Sequence, residues 1–188
     1  MKLAEGSRRL FLALWPDSGQ QNAMAYAART TILASGGRRV ASSSLHLTLV
    51  FLGSVPERSI PQVASVAQRI ASAWPAATSP LQFTFEHLEH WRKPQVLCAV
   101  PEATPDAAAV LAESLRADLI SAGFVPDLKR FRAHVTLARK VPRGTHVLGM
   151  PAVSWAFTEF ALVESRTQAD GALYSVLDSW LLSRPHFV

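Results

Sequence analysis

Cysteine is nearly absent from this 188-residue chain: Cys98 is the only one. A single cysteine excludes an internal disulfide, and its apolar run QVLCAV offers no partner for a thiolate metal site. Cys98 therefore reads as a small core hydrophobe. Long apolar runs are missing too. Leu10–Trp15 is too short for a signal-peptide core, and nothing approaches the roughly 18 uninterrupted apolar residues of a membrane span. The expectation is a soluble, cytoplasmic protein with no membrane partner. No Gly-x-Gly-x-x-Gly or Gly-x-x-x-x-Gly-Lys stretch occurs, which argues against nucleotide chemistry on a glycine-rich loop and weakens any ATP-dependent ligation. There is no low-complexity segment or linker. Residues 1–188 are read as one domain, with a monomer expected and no protein partner.

Acidic residues are relatively few, 14 against 19 Lys and Arg, for a net charge of +5. That balance favours a polyanionic partner. The surplus is concentrated in Lys129, Arg130, Arg132, Arg139, Lys140 and Arg143, with no acidic residue between them. A solvated edge strand could carry the same charge. Hydrophobic residues make up 49% of the chain, enough for a sizeable core without staples.

Leu10–Trp15 reads as a strand ended by Pro16. Asp17 or Ser18 can cap a helix running to about Ala34, with Gly36-Gly37 ending it. HLTLVFL follows as a strand. A second helical stretch begins at Pro56-Glu57, with Ile60, Val63, Val66, Ala67 and Ile70 at helical spacing. A loop is expected from Trp74 to Pro80. QFTFEHL and QVLCAV read as strands joined by a basic hairpin loop from His90 to Pro94. Val110, Leu111, Leu115, Leu119 and Ile120 mark one face of a further helix that stops at Gly123, before AHVTLAR. Trp155–Val163 and Leu173–Leu182 alternate as strands around a turn at Gly171.

The pattern repeats. LFLALWPDSGQQNAMA and QVLCAVPEATPDAAAV both read strand, proline, acidic cap, helix, and each leads at nearly equal distance to a strand carrying His-x-Thr-Leu. SLHLTLVFLG holds His46 and Thr48; FRAHVTLARK holds His134 and Thr136. This is an internal duplication of strand–helix–strand units, in which the two histidine strands face one another across a cleft. On a strand, alternate side chains share a face, so each copy presents one imidazole and one hydroxyl together. One imidazole can accept a proton while the other donates one, and the hydroxyls can donate to phosphate oxygens. That set suits in-line displacement at a phosphodiester and needs no metal.

The arrangement resembles the two-histidine (2H) phosphoesterase superfamily, and within it the RNA 2′,3′-cyclic phosphodiesterases, also described as 2′-5′ RNA ligases. RLFLAL, SLHLTLVFLG, WRKPQVLCAV, FRAHVTLAR and ALYSVLDSW carry the resemblance, which runs from about Arg9 to Leu182. Val50 and Ala133 depart from it: relatives often have a basic residue and a proline there. The resemblance implies an α+β fold of two pseudo-symmetric strand–helix–strand lobes, with antiparallel sheets flanking a central cleft. It implies hydrolysis of an RNA 2′,3′-cyclic phosphate, or of a small cyclic nucleotide, to a 2′-phosphate. His46 would protonate the departing 3′ oxygen, His134 would activate water, and Thr48 and Thr136 would hold the phosphate, with no cofactor. The alternatives are 2′-5′ ligation or 2′-5′ cleavage at the same site, or an RNA-binding module without catalysis.

Arg132 shares the face of His134 by parity and is a candidate RNA contact. Arg139 falls on the opposite face of a regular strand, where it is solvent-exposed, and reaches the phosphate from the strand end if a bulge or a turn intervenes. Phe51 and Trp91 are candidate stacking platforms for a base. His87 and His90 have H-x-x-H spacing, but on a strand they point apart, so no metal is expected. His146 and His186 are read as solvent-exposed.

Overall fold

Two antiparallel four-stranded half-sheets meet edge to edge along the two histidine strands. The computed structural model describes residues 6–75, 80–142, 149–168 and 171–182. His146, His186, Arg143 and the middle of the loop expected at Trp74 to Pro80 lie outside the described residues. The elements are β1 (Ser7–Leu14), α1 (Ser18–Ala27), α2 (Arg29–Ala34), β2 (Arg38–Arg39), β3 (Leu47–Pro56), α3 (Ile60–Ala73), β4 (Leu81–Trp91), β5 (Val96–Pro101), α4 (Asp106–Ser121), β6 (Val135–Arg139), β7 (Val153–Phe157), β8 (Glu159–Gln168) and β9 (Gly171–Leu181). Strand order is β7-β4-β5-β6-β3-β1-β8-β9, with β2 attached to β6. From the centre outward, β3-β1-β8-β9 mirrors β6-β5-β4-β7. The halves are joined at a single register pair, Leu47 with Val135. The expected α+β class and the two strand–helix–strand units, β1–α1–β3 and β5–α4–β6, are both present.

The helices tie the halves together by crossing over. Asp17 caps α1 in a reciprocal capping box with Gln20, which satisfies two free backbone donors. The indole N–H of Trp155, on β7 in the far half, donates to the Gln20 carbonyl at 3.0 Å. Conversely, α4 follows β5 but packs on β3 and on α3. Each unit's helix thus covers the other unit's half-sheet. Between helices and sheet lies one core, built from Leu10, Leu12, Leu14, Leu47, Leu97, Val135 and Leu137 with Phe83, Phe85 and Trp155. Among the described residues no helix is long and apolar enough to cross a membrane.

Three boundaries differ from expectation. The first helix breaks at Ala28 into α1 and α2. Trp155–Val163 is two strands, because burial of Trp155 and Phe157 and then of Phe160 and Ala161 breaks the two-residue period at the Thr158 corner. His90 and Trp91 belong to β4, not to the hairpin loop.

Candidate active site

Each histidine stands one residue ahead of its strand, not within it. The cause is local. His46 Nδ1 lies 2.7 Å from the Ser44 carbonyl, and His134 Nδ1 lies 2.8 Å from the Arg132 carbonyl. A carbonyl can only accept, so Nδ1 carries the proton in both rings and Nε2 is left as the free acceptor. The same residue-to-residue bond fixes both tautomers. On the His46 side a short 3-10 turn, Ser42–Ser44, precedes the ring. The Nε2 amide of buried Gln21, on α1, donates to the Ser43 and Leu45 carbonyls at 3.2 Å each. Helix α1 therefore holds the segment that aims His46.

Thr48 and Thr136 follow as half-buried positions on the same face. Beyond them both strands bulge at the same place. Against β1, Thr48 pairs with Ala13 and Val50 with Leu12, which leaves Leu49 unpaired. Against β5, Thr136 pairs with Cys98 and Ala138 with Leu97, which leaves Leu137 unpaired. The extra residue shifts the alternation by one, so Phe51 and Arg139 turn onto the face of the histidines. Arg139 thus enters the site through the bulge that an irregular strand required. In β3 a second shift follows at Leu52, and Gly53, at φ +75°, supplies the left-handed residue it needs.

The result is a cleft of about 790 Å³ lined by both histidines, both threonines, Phe51, Arg139, Trp91, Arg130 and Arg132, with Arg116 and Asp127 farther along its wall. The size suits a nucleotide-scale ligand. Cys98 lies beneath it, fully buried, its Sγ 4.0 Å from the Thr136 hydroxyl. Burial pushes its thiol up to about 12, so it is no nucleophile.

The two rings have different neighbours. His46 is enclosed by aromatics. Trp15 stacks on it at 5.3 Å and 11°, Phe11 lies 4.9 Å away, and Tyr174 meets it edge-on at 5.0 Å. Burial, opposed by the bond to the Ser44 carbonyl, lowers its pKa to about 4. His134 meets one aromatic, Trp91, at 4.5 Å. Trp91 is itself engaged: its Nε1–H donates to Glu89 at 2.6 Å, and the Arg132 guanidinium sits 4.7 Å over its ring. Arg132 also donates to both Glu89 oxygens, at 2.8 and 2.6 Å. Burial, then the Arg132 and Arg139 charges, lower the His134 pKa too, while its bond to the Arg132 carbonyl and nearby Glu89 oppose the shift. Burial thus favours the neutral form of both rings, most strongly that of His46.

The sequence candidates Arg132, Arg139, Trp91 and Phe51 all line this cleft. Trp91 ends a strand and packs against His134, so its first role is to brace the ring. Trp15, Gln21, Glu89 and Tyr174 were not foreseen in any site role. Each lies far along the chain from the histidine it serves, and only ALYSVLDSW carried a trace of Tyr174. His87 is exposed and His90 half-buried on β4, and among the described residues no group of three His, Cys, Asp or Glu side chains converges as a metal site.

The model of the 2′-5′ RNA ligase superfamily matches residues 16–168. An RNA 2′,3′-cyclic phosphodiesterase of Thermus thermophilus is 32% identical, over 95% of this chain and 92% of that protein. The protein of the same name from Escherichia coli is 27% identical, over 94% of this chain and 98% of its own. Among solved structures, a phosphoesterase superposes with a TM-score of 0.84 at 26% identity, covering 95% of this chain and 100% of that one. The E. coli LigT complex with 3′-AMP superposes with a TM-score of 0.83 at 25% identity and the same coverage. With the duplicated His-x-Thr strands, their shared bulge and this match over most of its length, the chain belongs to the 2′-5′ RNA ligase superfamily.

Proposed function

We propose that this cleft hydrolyses the 2′,3′-cyclic phosphate at an RNA end to a 2′-phosphate. The observation that carries this reading is the pair of imidazoles locked by the same backbone bond, each with Nε2 free and a threonine hydroxyl beside it. His134 Nε2 takes a proton from water as its oxygen attacks phosphorus. The bond from phosphorus to the 3′ oxygen breaks, and His46 gives that oxygen a proton. Thr48 and Thr136 donate to the non-bridging oxygens, and Arg139 supplies positive charge at the strand end. No step calls for a metal.

The assignment places one demand on the site. Burial favours neutral His46, so the ring takes its acidic proton from solvent as the substrate binds, because the anionic phosphate favours the imidazolium. Relatives carrying the name RNA 2′,3′-cyclic phosphodiesterase support the substrate.

The test is incubation with EDTA and a short RNA ending in a 2′,3′-cyclic phosphate, followed by identification of the product end. A 2′-phosphate, lost in both His46→Ala and His134→Ala, is expected. A 3′-phosphate would reverse the leaving group, and no turnover would remove the reading. Ligation is the same displacement with a ribose 5′ hydroxyl in place of water, again expelling the 3′ oxygen. The superfamily's description favours testing it in the same tube, where a joined 2′-5′ product at high RNA concentration would show it.

A further inference from the structure

A second cavity, of about 550 Å³, opens from the first and shares His46, Thr48, Phe51 and Arg139 with it. The two arms differ in chemistry. The first carries cations as well, among them Lys93, Lys129, Arg130 and Arg132, but it adds the apolar surfaces of Leu49, Val50, Phe131, Pro94 and Val96, which suit a base. The second is walled by Arg9, Arg38, Arg139 and Lys140, with Tyr174 between them.

The cations of the second arm find at most neutral partners among the described residues: the Arg9 guanidinium lies 4.6 Å over the Phe51 ring, and Arg139 donates to the Tyr174 hydroxyl at 3.5 Å. Arg38 and Arg139 are direct register partners on β2 and β6, and like charges placed opposite one another destabilise a sheet. No described carboxylate forms an ion pair with Arg9, Arg38, Arg139 or Lys140. Lys140 is held at φ 56°, a left-handed conformation that costs a lysine energy. An anion seated among these groups would relieve the repulsion.

We infer that this arm seats the internucleotide phosphate 5′ to the terminal nucleoside, so that the enzyme selects oligoribonucleotide cyclic phosphates over cyclic mononucleotides. The inference rests on the proposed function, because it takes the cyclic phosphate to lie between the histidines. The terminal base then occupies the apolar arm and the chain leaves along the basic one.

The experiment compares kcat/KM for a 2′,3′-cyclic mononucleotide and for a short RNA with the same terminal nucleotide, using the native chain and the Arg38→Gln/Lys140→Gln double variant. The native chain should prefer the RNA. The double variant should lose about tenfold on the RNA and stay within about twofold on the mononucleotide. The salt dependence of its RNA turnover should also become shallower. Equal native rates on the two substrates, or an equal loss on both in the variant, would overturn the inference. If neither substrate is turned over, the proposed function has failed. Fluorescence anisotropy of a labelled short RNA then decides the arm by itself: unchanged affinity in the double variant would end it.

Discussion

The half of the site around His46 and the half around His134 share a backbone and differ in what packs against the ring. Both have the Nδ1 bond to the carbonyl two residues back, the threonine on the same face and the bulge at the following leucine. Phe11, Trp15 and Tyr174 close over His46, whereas one tryptophan and an ion pair flank His134. A duplicated scaffold delivers two identical groups, and acid–base catalysis needs them to differ. The difference is made in the side chains that come from β1, β4 and β9, outside the repeated motif.

The largest effect that would test this division is removal of either ring. His46→Ala and His134→Ala should each lower kcat by about 10²–10⁴, and the double variant should be little worse than either, because the two act in one step. A single variant near the native rate would break the pairing. Both ligand-free pKa values lie below 6.5, so the bell-shaped profile of kcat/KM should peak below pH 6.5. A peak above pH 7 would contradict the neutral pair. Next come the hydroxyls. Thr48→Ala and Thr136→Ala should each cost about 10- to 100-fold in kcat, short of the largest losses seen for a donor to a developing charge. A large loss in only one would locate the phosphate nearer that half.

Smaller effects should separate the halves. Glu89→Gln removes the negative charge that raises the His134 pKa, so one limb of the profile should move to lower pH with a few-fold loss of rate. Movement of both limbs would show that the halves are not independent. Trp15→Ala opens the cage over His46, and burial is the main cause of its shift. The ring's titration, followed by NMR, should rise from about 4 toward 6.5 while that of His134 stays in place. The smallest effect is on stability. His46 titrates near 6.5 in the unfolded chain and about 4 in the fold, so the unfolded state binds more protons between those values. Stability should therefore fall as pH drops through that window, and His46→Phe should flatten the fall in denaturant titrations.

The strand–helix–strand units and the meeting of the four motif residues at one cleft were legible because His-x-Thr-Leu recurs at matching distances after matching strands. The bulge was not. Leu49 and Leu137 read as ordinary core residues, and neither glycine nor proline marks the slip; only Arg139, stranded on the wrong face of a regular strand, hinted at it. The histidines' place just ahead of the strands was also hidden, since a side-chain bond to a carbonyl two residues back leaves no trace in composition. Trp15, Glu89 and Tyr174 escaped notice because sheet order, not chain order, brings them to the rings. Trp91 was noticed for its basic surroundings and given a stacking role. Its place at the end of β4 makes it a brace for His134 first.

The shared bulge separates what the fold requires from what the ligand meets. Ahead of it, histidine and threonine face the cleft; at it, leucine and its neighbour are buried and fixed by packing. The next position, Phe51 in one strand and Arg139 in the other, is turned by the bulge into the cleft, an aromatic in one lobe and a cation in the other. Evolution, or an engineer, can revise the aromatic at Phe51 and change what the enzyme accepts without reopening the main core, whereas a change at Arg139 also removes the charge proposed to face the phosphate.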